Sequence, residues 1–343
     1  MSKRLRPLIA PIFIPHQGCP HRCVFCDQQK ITSESTQSIN RGYIEGILDR
    51  AILSKDFNQR PNPEVAFYGG TFTRLPAAQI HDLLEAVTPY IKQGFFRSIR
   101  VSTRPDALDE GILKAMRNHN VLTVELGAQS MDDEVLTLSK RGHTSKDTVR
   151  AVKLLRRYGF KVGIQLMPGL PGDSQEKFRS TITKTISLHP DMVRLYPALV
   201  ISGTELARWY LEGRYRPMTL EEAVEICAES CVRLEAEEIP VIRIGLMSSP
   251  SLLKKGQIVA GPWHPAFGFL VRSGIHQKKI EPDLPHPGEA SQIKIRAPMR
   301  EIPLVRGYKN QGIKGIERKT GAKVIRVESD NSVPRGKVRI EKI

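Results

Sequence analysis

The sequence predicts an α/β fold, a partial or full (β/α) barrel followed by a small basic α+β domain. Three observations predict it. Short β-branched runs recur along the first 245 residues, segments of helical period separate them, and the alternation stops before an end rich in lysine and arginine.

The apolar runs at 8–14, 65–68, 99–102, 121–126, 162–167, 192–196 and 241–244 read as buried strands. Between them, 44–53, 77–91, 108–116, 147–158, 175–188 and 220–237 carry helical period. Parallel neighbours need long crossovers, which helices of this length supply, so repeated βαβ units and a parallel sheet follow. Six or more such units favour a barrel, closed or partial, over an open sheet. From about Gly245 the rhythm breaks. Pro250, Gly256, Gly261, Pro262, Pro265 and Gly268 punctuate a stretch carrying Trp263, His264, Phe267 and Phe269, which reads as an irregular packed segment. Pro285 and Pro287 around His286 mark a linker over 282–288. The expected domains are therefore a core over 1–245, an extension and linker over 246–290, and a basic domain over 291–343.

The 343 residues are 40% hydrophobic and 26% charged, and no run approaches the ~20 apolar residues of a membrane span. A soluble, cytoplasmic protein without a membrane partner is expected. Residues 1–6 are basic, but Pro7, Pro11 and Pro15 interrupt the following apolar stretch and no small-residue cleavage pattern follows, which argues against a secretory signal. The net charge is +16, and 14 Lys and Arg against 5 Asp and Glu place about +9 of it in 291–343. An anionic partner such as nucleic acid fits that excess. Five cysteines, odd in number and clustered, exclude a disulfide scaffold and favour metal ligation in a reducing compartment.

Three of those cysteines, Cys19, Cys23 and Cys26, stand within eight residues directly after the first predicted strand. A four-iron cubane held by three local thiolates keeps one iron open to a small molecule. The alternative is a zinc site completed by His16 or His21. Cys227 and Cys231 lie four apart on one face of a predicted helix and read as core thiols. The Gly69-Gly70 pair closes the second strand, where glycine permits positive φ and close backbone approach.

The segments Phe67-Tyr68-Gly69-Gly70-Thr71-Phe72, Ser102-Thr103-Arg104-Pro105-Asp106, Glu125-Leu126-Gly127-Ala128-Gln129-Ser130, Arg141-Gly142-His143-Thr144, Met167-Pro168-Gly169-Leu170-Pro171-Gly172 and Leu195-Tyr196-Pro197 carry a family resemblance. Over about 8–245 the chain resembles the radical S-adenosylmethionine (SAM) core of the Elongator catalytic subunit and, more distantly, oxygen-independent coproporphyrinogen oxidase. The resemblance implies a radical SAM barrel with a 4Fe-4S cluster on Cys19, Cys23 and Cys26, whose open iron chelates SAM. It also implies reductive SAM cleavage to a 5'-deoxyadenosyl radical, with an electron donor such as ferredoxin or flavodoxin. Phe25 matches the aromatic that usually precedes the third cysteine. Gly69, Gly70 and Thr71 match the loop that contacts the SAM amino group, and Gln129 and Arg141 would lie near its ribose and carboxylate. Ser102 begins the Ser-Thr-Arg segment that replaces a Glu of the coproporphyrinogen enzymes, and Gln165 replaces their Asp; both are expected at the cofactor. Residues 167–172 form a strand-end turn beside the adenine, or a turn and no more. Asp106 and Glu125 receive no acid or base role.

In the basic end, Gly307 and Gly312 bound a loop that opens a short helix with Ile313 and Ile316 three apart, and Gly321 ends that helix. A strand, a polar turn at Asp330-Asn331-Ser332 and a second strand over 337–343 follow. The segment resembles a KH module, whose Gly-x-x-Gly loop clamps a nucleic-acid backbone. Four residues separate the glycines here instead of two, and no final helix follows. Arg306, Lys309, Lys314, Arg318 and Lys319 are the expected RNA contacts. Fewer than 100 residues follow the core, so the Elongator acetyltransferase activity is not implied. The expected function is a radical SAM enzyme that modifies RNA, with tRNA favoured. The alternatives are a radical SAM enzyme acting on a small molecule such as a tetrapyrrole, and a non-catalytic RNA-associated iron-sulfur protein.

Overall fold

A computed structural model of the chain describes residues 8–32, 39–58 and 60–343; the basic start over 1–6 lies outside them. Its centre is a seven-stranded sheet formed by β1 (Ile9–Ile14), β2 (Glu64–Gly69), β3 (Ser98–Thr103), β4 (Val121–Gln129), β5 (Lys161–Leu166), β6 (Met192–Leu195) and, after a two-residue strand β7 (Val200–Ile201), β8 (Val241–Ile244). The order is β1-β2-β3-β4-β5-β6-β8, every pair is parallel, and the sheet curls into a half-barrel with β1 and β8 as its edges. The barrel is thus partial.

Helices α1 (Gln28–Thr32), α2 (Arg41–Ile52), α3 (Ala77–Lys92), α4 (Glu110–Asn118), α5 (Asp133–Leu138), α6 (Ser145–Arg157), α7 (Gln175–Ser187), α8 (Glu205–Leu211) and α9 (Leu220–Ala236) lie between the strands. Their starts follow from local chemistry. Asp109, Asp132 and Ser174 each accept from the backbone N–H three residues on, and Thr144 with Asp147 and Thr219 with Glu222 close reciprocal capping boxes. Alternate strand residues explain the layers. Ile12, Phe67, Val101, Leu126, Ile164 and Leu195 join the main core beneath the helices, while Tyr68, Arg100, Glu125, Gln165 and Arg194 meet one another on the inner face. The inside of the half-barrel is polar.

The stretch read as irregular holds more order than its Gly and Pro content suggests. Strand β9 (Ile258–Ala260) pairs antiparallel with β7, and α10 (Phe267–Ile280) forms a regular helix packed on α9 and β8. Of the aromatics in this stretch Phe267 is buried, and with Val271 and Ile275 it belongs to the main core. The end of the chain comprises β10 (Gln292–Ala297), α11 (Ile302–Arg306), α12 (Gln311–Thr320), β11 (Lys323–Ser329) and β12 (Arg339–Lys342), with sheet order β11-β10-β12. Its own core joins Ile293, Ile295, Ala297, Val305, Ile316 and Ile280, the last residue of α10. No helix among the described residues is long and apolar enough to cross a membrane.

Candidate functional site

Loops at the C-terminal ends of β1 to β5 converge on a cleft of about 580 Å³. Parallel barrels place their sites at this end. Cys19, Cys23 and Cys26 line it together with Gly69, Gly70, Thr71, Ser102, Gln129, Arg141 and Gln165. Residues up to about 150 apart in sequence therefore share one cavity.

The cysteine loop and the glycine pair are locked together. Thr71 N donates to the Gln17 carbonyl at 2.7 Å, and the Thr71 hydroxyl lies 3.4 Å from Cys19 Sγ. A Cβ on Gly70 would meet the Gln17 oxygen at 2.1 Å, and one on Gly18 would meet the Thr71 oxygen at 2.3 Å. Close loop approach is what demands these glycines. Phe25 does not line the cleft. It is buried with Val24, Leu170 and Leu206 and anchors the loop from below.

The remaining polar groups are only partly satisfied by protein. Arg141 donates through Nη1 to Cys23 Sγ at 2.9 Å and through Nη2 to the Gly127 carbonyl at 2.6 Å, while its buried Nε has no hydrogen-bond partner among the described residues. Gln129 takes φ of +68° at a register shift of β4, and its buried Oε1 is likewise unpartnered. Gln129 thus combines a strained non-glycine backbone with a buried amide oxygen that the described protein groups leave unsatisfied. Ser102 and Gln165 stand side by side at 3.4 Å, and Gln165 Nε2 also donates to Glu125 at 3.0 Å.

Beneath the cleft, Glu125 is fully buried between Arg100 Nη1 at 2.8 Å and Arg194 Nε at 2.7 Å. Burial alone would raise its carboxyl, but the two guanidiniums hold it below the ordinary value. Asp106 instead braces Arg104, at 2.9 and 3.1 Å, and Arg104 donates to the Arg141 carbonyl. The two carboxylates are spent on arginines. Arg104, Gly127, His16 and Gln28 also line the cleft. The first two lie inside motif segments already quoted, His16 was weighed only as a zinc ligand, and Gln28 had no local signal.

The thiol set suits a multi-iron cluster better than one zinc ion. Tetrahedral zinc draws its sulfurs to about 3.8 Å of one another, given Zn–S near 2.3 Å. Among the described residues, the three thiols do not fall in a group with all ligand atoms within 4.8 Å. His16 Nε2 already accepts from Gln28 N at 2.9 Å, so that nitrogen is not a free fourth ligand. Burial and the neighbouring Cys23 and Cys19 push the Cys26 thiol up to about 12, and a cationic cluster would relieve that cost. Cys227 and Cys231 are buried in the main core and reach no site.

In the C-terminal unit the loop between α11 and α12 carries positive φ at Gly307, Lys309 and Asn310. A Cβ on Gly312 would meet the Val305 oxygen at 2.4 Å, and one on Gly307 would meet Gly312 N at 2.5 Å, so the two glycines close the turn on each other. Arg306, Lys309, Lys314 and Arg318 are exposed and have no carboxylate partner among the described residues, whereas Lys319 pairs with Glu281 at 2.6 Å.

A parallel half-barrel with three thiols and a glycine pair at its C-terminal mouth defines the radical SAM class of enzyme. The Radical SAM superfamily model matches residues 13–184, and a Radical SAM C-terminal domain model matches 190–277. The chain belongs to the radical SAM superfamily, whose members use a 4Fe-4S cluster and SAM. It is 43% identical over 129 residues to a tRNA uridine(34) acetyltransferase of Methanocaldococcus jannaschii, covering 37% of this chain and 24% of that protein. It is 30% identical over 230 residues to the Dehalococcoides mccartyi protein of the same name, covering 58% and 50%. The match thus spans about a quarter to a half of these relatives. The archaeal Elp3 of Methanocaldococcus infernus with residues 1–46 deleted superposes with TM-score 0.56 at 26% identity, covering 79% of this chain and 64% of that one.

Proposed function

We propose that the chain is an RNA-modifying radical SAM enzyme acting on tRNA, with its cluster on Cys19, Cys23 and Cys26. The observation that carries the chemistry is the single cleft that gathers the three thiols with Gly70, Gln129 and Arg141. A 4Fe-4S cluster held by Cys19, Cys23 and Cys26 would, on receiving one electron from a reductant, cleave SAM bound in this cleft to methionine and a 5'-deoxyadenosyl radical. The chain's own residues do the rest. Arg141 offers its unpartnered Nε to a carboxylate, Gln129 offers its orphaned oxygen to a hydroxyl, and the Gly70 backbone approaches without a side chain in the way. Ser102 and Gln165 line the floor, and the Glu125–Arg100–Arg194 network fixes Gln165. None of residues 167–172 lines the cleft; Gly169 to Gly172 line a separate pocket with Trp209 and Tyr215, which favours the reading of this segment as a turn.

The RNA reading rests on the exposed, unpaired Arg306, Lys309, Lys314 and Arg318 around a tight glycine turn, and on the tRNA-acting relatives. Lys319 is the weakest of the expected contacts because Glu281 already holds it. We place the three domains at 1–245, 246–290 and 291–343, with ferredoxin or flavodoxin as electron donor. The test is anaerobic incubation of reconstituted protein with SAM, dithionite and bulk tRNA, read by nucleoside mass spectrometry. Deoxyadenosine formation is expected, together with a new modified nucleoside. Deoxyadenosine no greater than from the Cys19, Cys23 and Cys26→Ala variant rejects catalysis. Turnover on a tetrapyrrole that is unchanged by neutralising Arg306, Lys309, Lys314 and Arg318 rejects the RNA substrate.

A further inference from the structure

Outside the barrel, α3 and α4 bring His81, Glu85 and His119 together, with their ligand atoms all within 4.8 Å of one another. His81 and Glu85 stand four apart on one face of α3, and His119 caps the C-terminal end of α4. The His119 ring has one tautomer in this setting. Its Nδ1 lies 2.8 Å from the Ala115 carbonyl oxygen, which can only accept, so the proton sits on Nδ1. Its Nε2 lies 3.1 Å from Oε1 of Glu85. In the neutral ring that contact sets two lone pairs against each other, so it needs a cation between them. His81 adds a second imidazole at the same spot, edge-on to His119 with centroids 5.4 Å apart. A proton shared by His119 and Glu85 has no use for that second ring.

We propose that His81, Glu85 and His119 bind a divalent transition-metal ion of the zinc type that pins α3 to α4. Two imidazoles and one carboxylate select such ions over magnesium or calcium, which prefer all-oxygen sites. Three protein ligands leave the fourth tetrahedral position to water. The Ala115 carbonyl plays the outer-sphere part, since it orients the ring and directs the Nε2 lone pair inward. Arg41 acts electrostatically on this surface through Glu85, but Glu45 engages it at 2.8 Å.

The first test uses the full chain with its cysteine cleft loaded anaerobically with iron and sulfide, so that the thiols do not compete. Zinc retained per chain after gel filtration is counted, and thermal unfolding is followed with and without zinc. One retained zinc and a midpoint rise of a few degrees are expected, with both lost in His81→Ala and in His119→Gln. The second test adds cobalt to the Cys19, Cys23 and Cys26→Ala chain. Visible ligand-field bands without thiolate-to-cobalt charge transfer are expected, and they should vanish on adding His81→Ala. Zinc retention unchanged in both histidine variants overturns the proposal. So does a wild-type chain that is folded by circular dichroism and retains none.

Discussion

Removing the Glu125 carboxylate would leave Arg100 and Arg194 buried on the inner face without their shared counter-charge. Glu125→Ala should therefore destabilise the barrel by about 3–5 kcal/mol, measured by urea unfolding, and Glu125→Gln by less because an acceptor remains. The arginines hold the folded carboxyl below its ordinary value of 4.5. Its contribution is then complete above pH 4.5 and fades as pH falls through the lowered value, so the apparent unfolding midpoint of the wild type should drop more steeply below pH 4.5 than that of Glu125→Gln. Gly70→Ala should lower the iron and sulfide bound per chain, because a Cβ cannot stand 2.1 Å from the Gln17 oxygen. Cys231→Ala should leave the iron content unchanged. At this scale the sequence was informative where chemistry is local. Cys19, Cys23 and Cys26 announce themselves by spacing, whereas Glu125 meets Arg194 across 69 positions and nothing near either residue signals the pairing.

Among the elements, α12 carries the testable part of the RNA reading. Lys314 and Arg318 stand four apart on its exposed face. Replacing both with Ala should weaken tRNA binding and reduce the slope of log affinity against log salt by about 1 per lost phosphate contact. Lys319→Ala should change that slope less, as Glu281 already engages it. The seven strands of the main sheet and six of the helices beside it were legible from periodicity, and α12, β11 and β12 from the glycines and polar turn that bound them, with ends displaced by a few residues. Strand β10 was overlooked although Ile293, Ile295 and Ala297 alternate with Lys294 and Arg296 in the two-residue period of a half-buried strand. Helix α10 was hidden by the Gly and Pro residues that precede it, and its burial against α9 decided the outcome.

For the whole molecule, α10 is the member shared by both cores. Its Ser273 and Gln277 donate to the carbonyls of Leu304 and Val305, at 2.8 to 3.1 Å, which the end of α11 would otherwise leave open. Gln277→Ala should loosen the C-terminal unit from the barrel and raise protease cleavage between 281 and 291 at unchanged barrel stability, read by limited digestion with mass spectrometry. Sequence order predicted the parallel sheet because each crossover is local. Barrel closure was not predictable, since it depends on whether β1 and β8, more than 200 residues apart, meet.

The interlock of Gln17 with Thr71 has a consequence in time. One backbone amide, Thr71 N–H, is buried in the seam between the cysteine loop and the glycine loop. Deuterium can reach it only when the two loops part. Its exchange rate is therefore a clock for the opening of the metal mouth, and cluster loss in air should keep the same time.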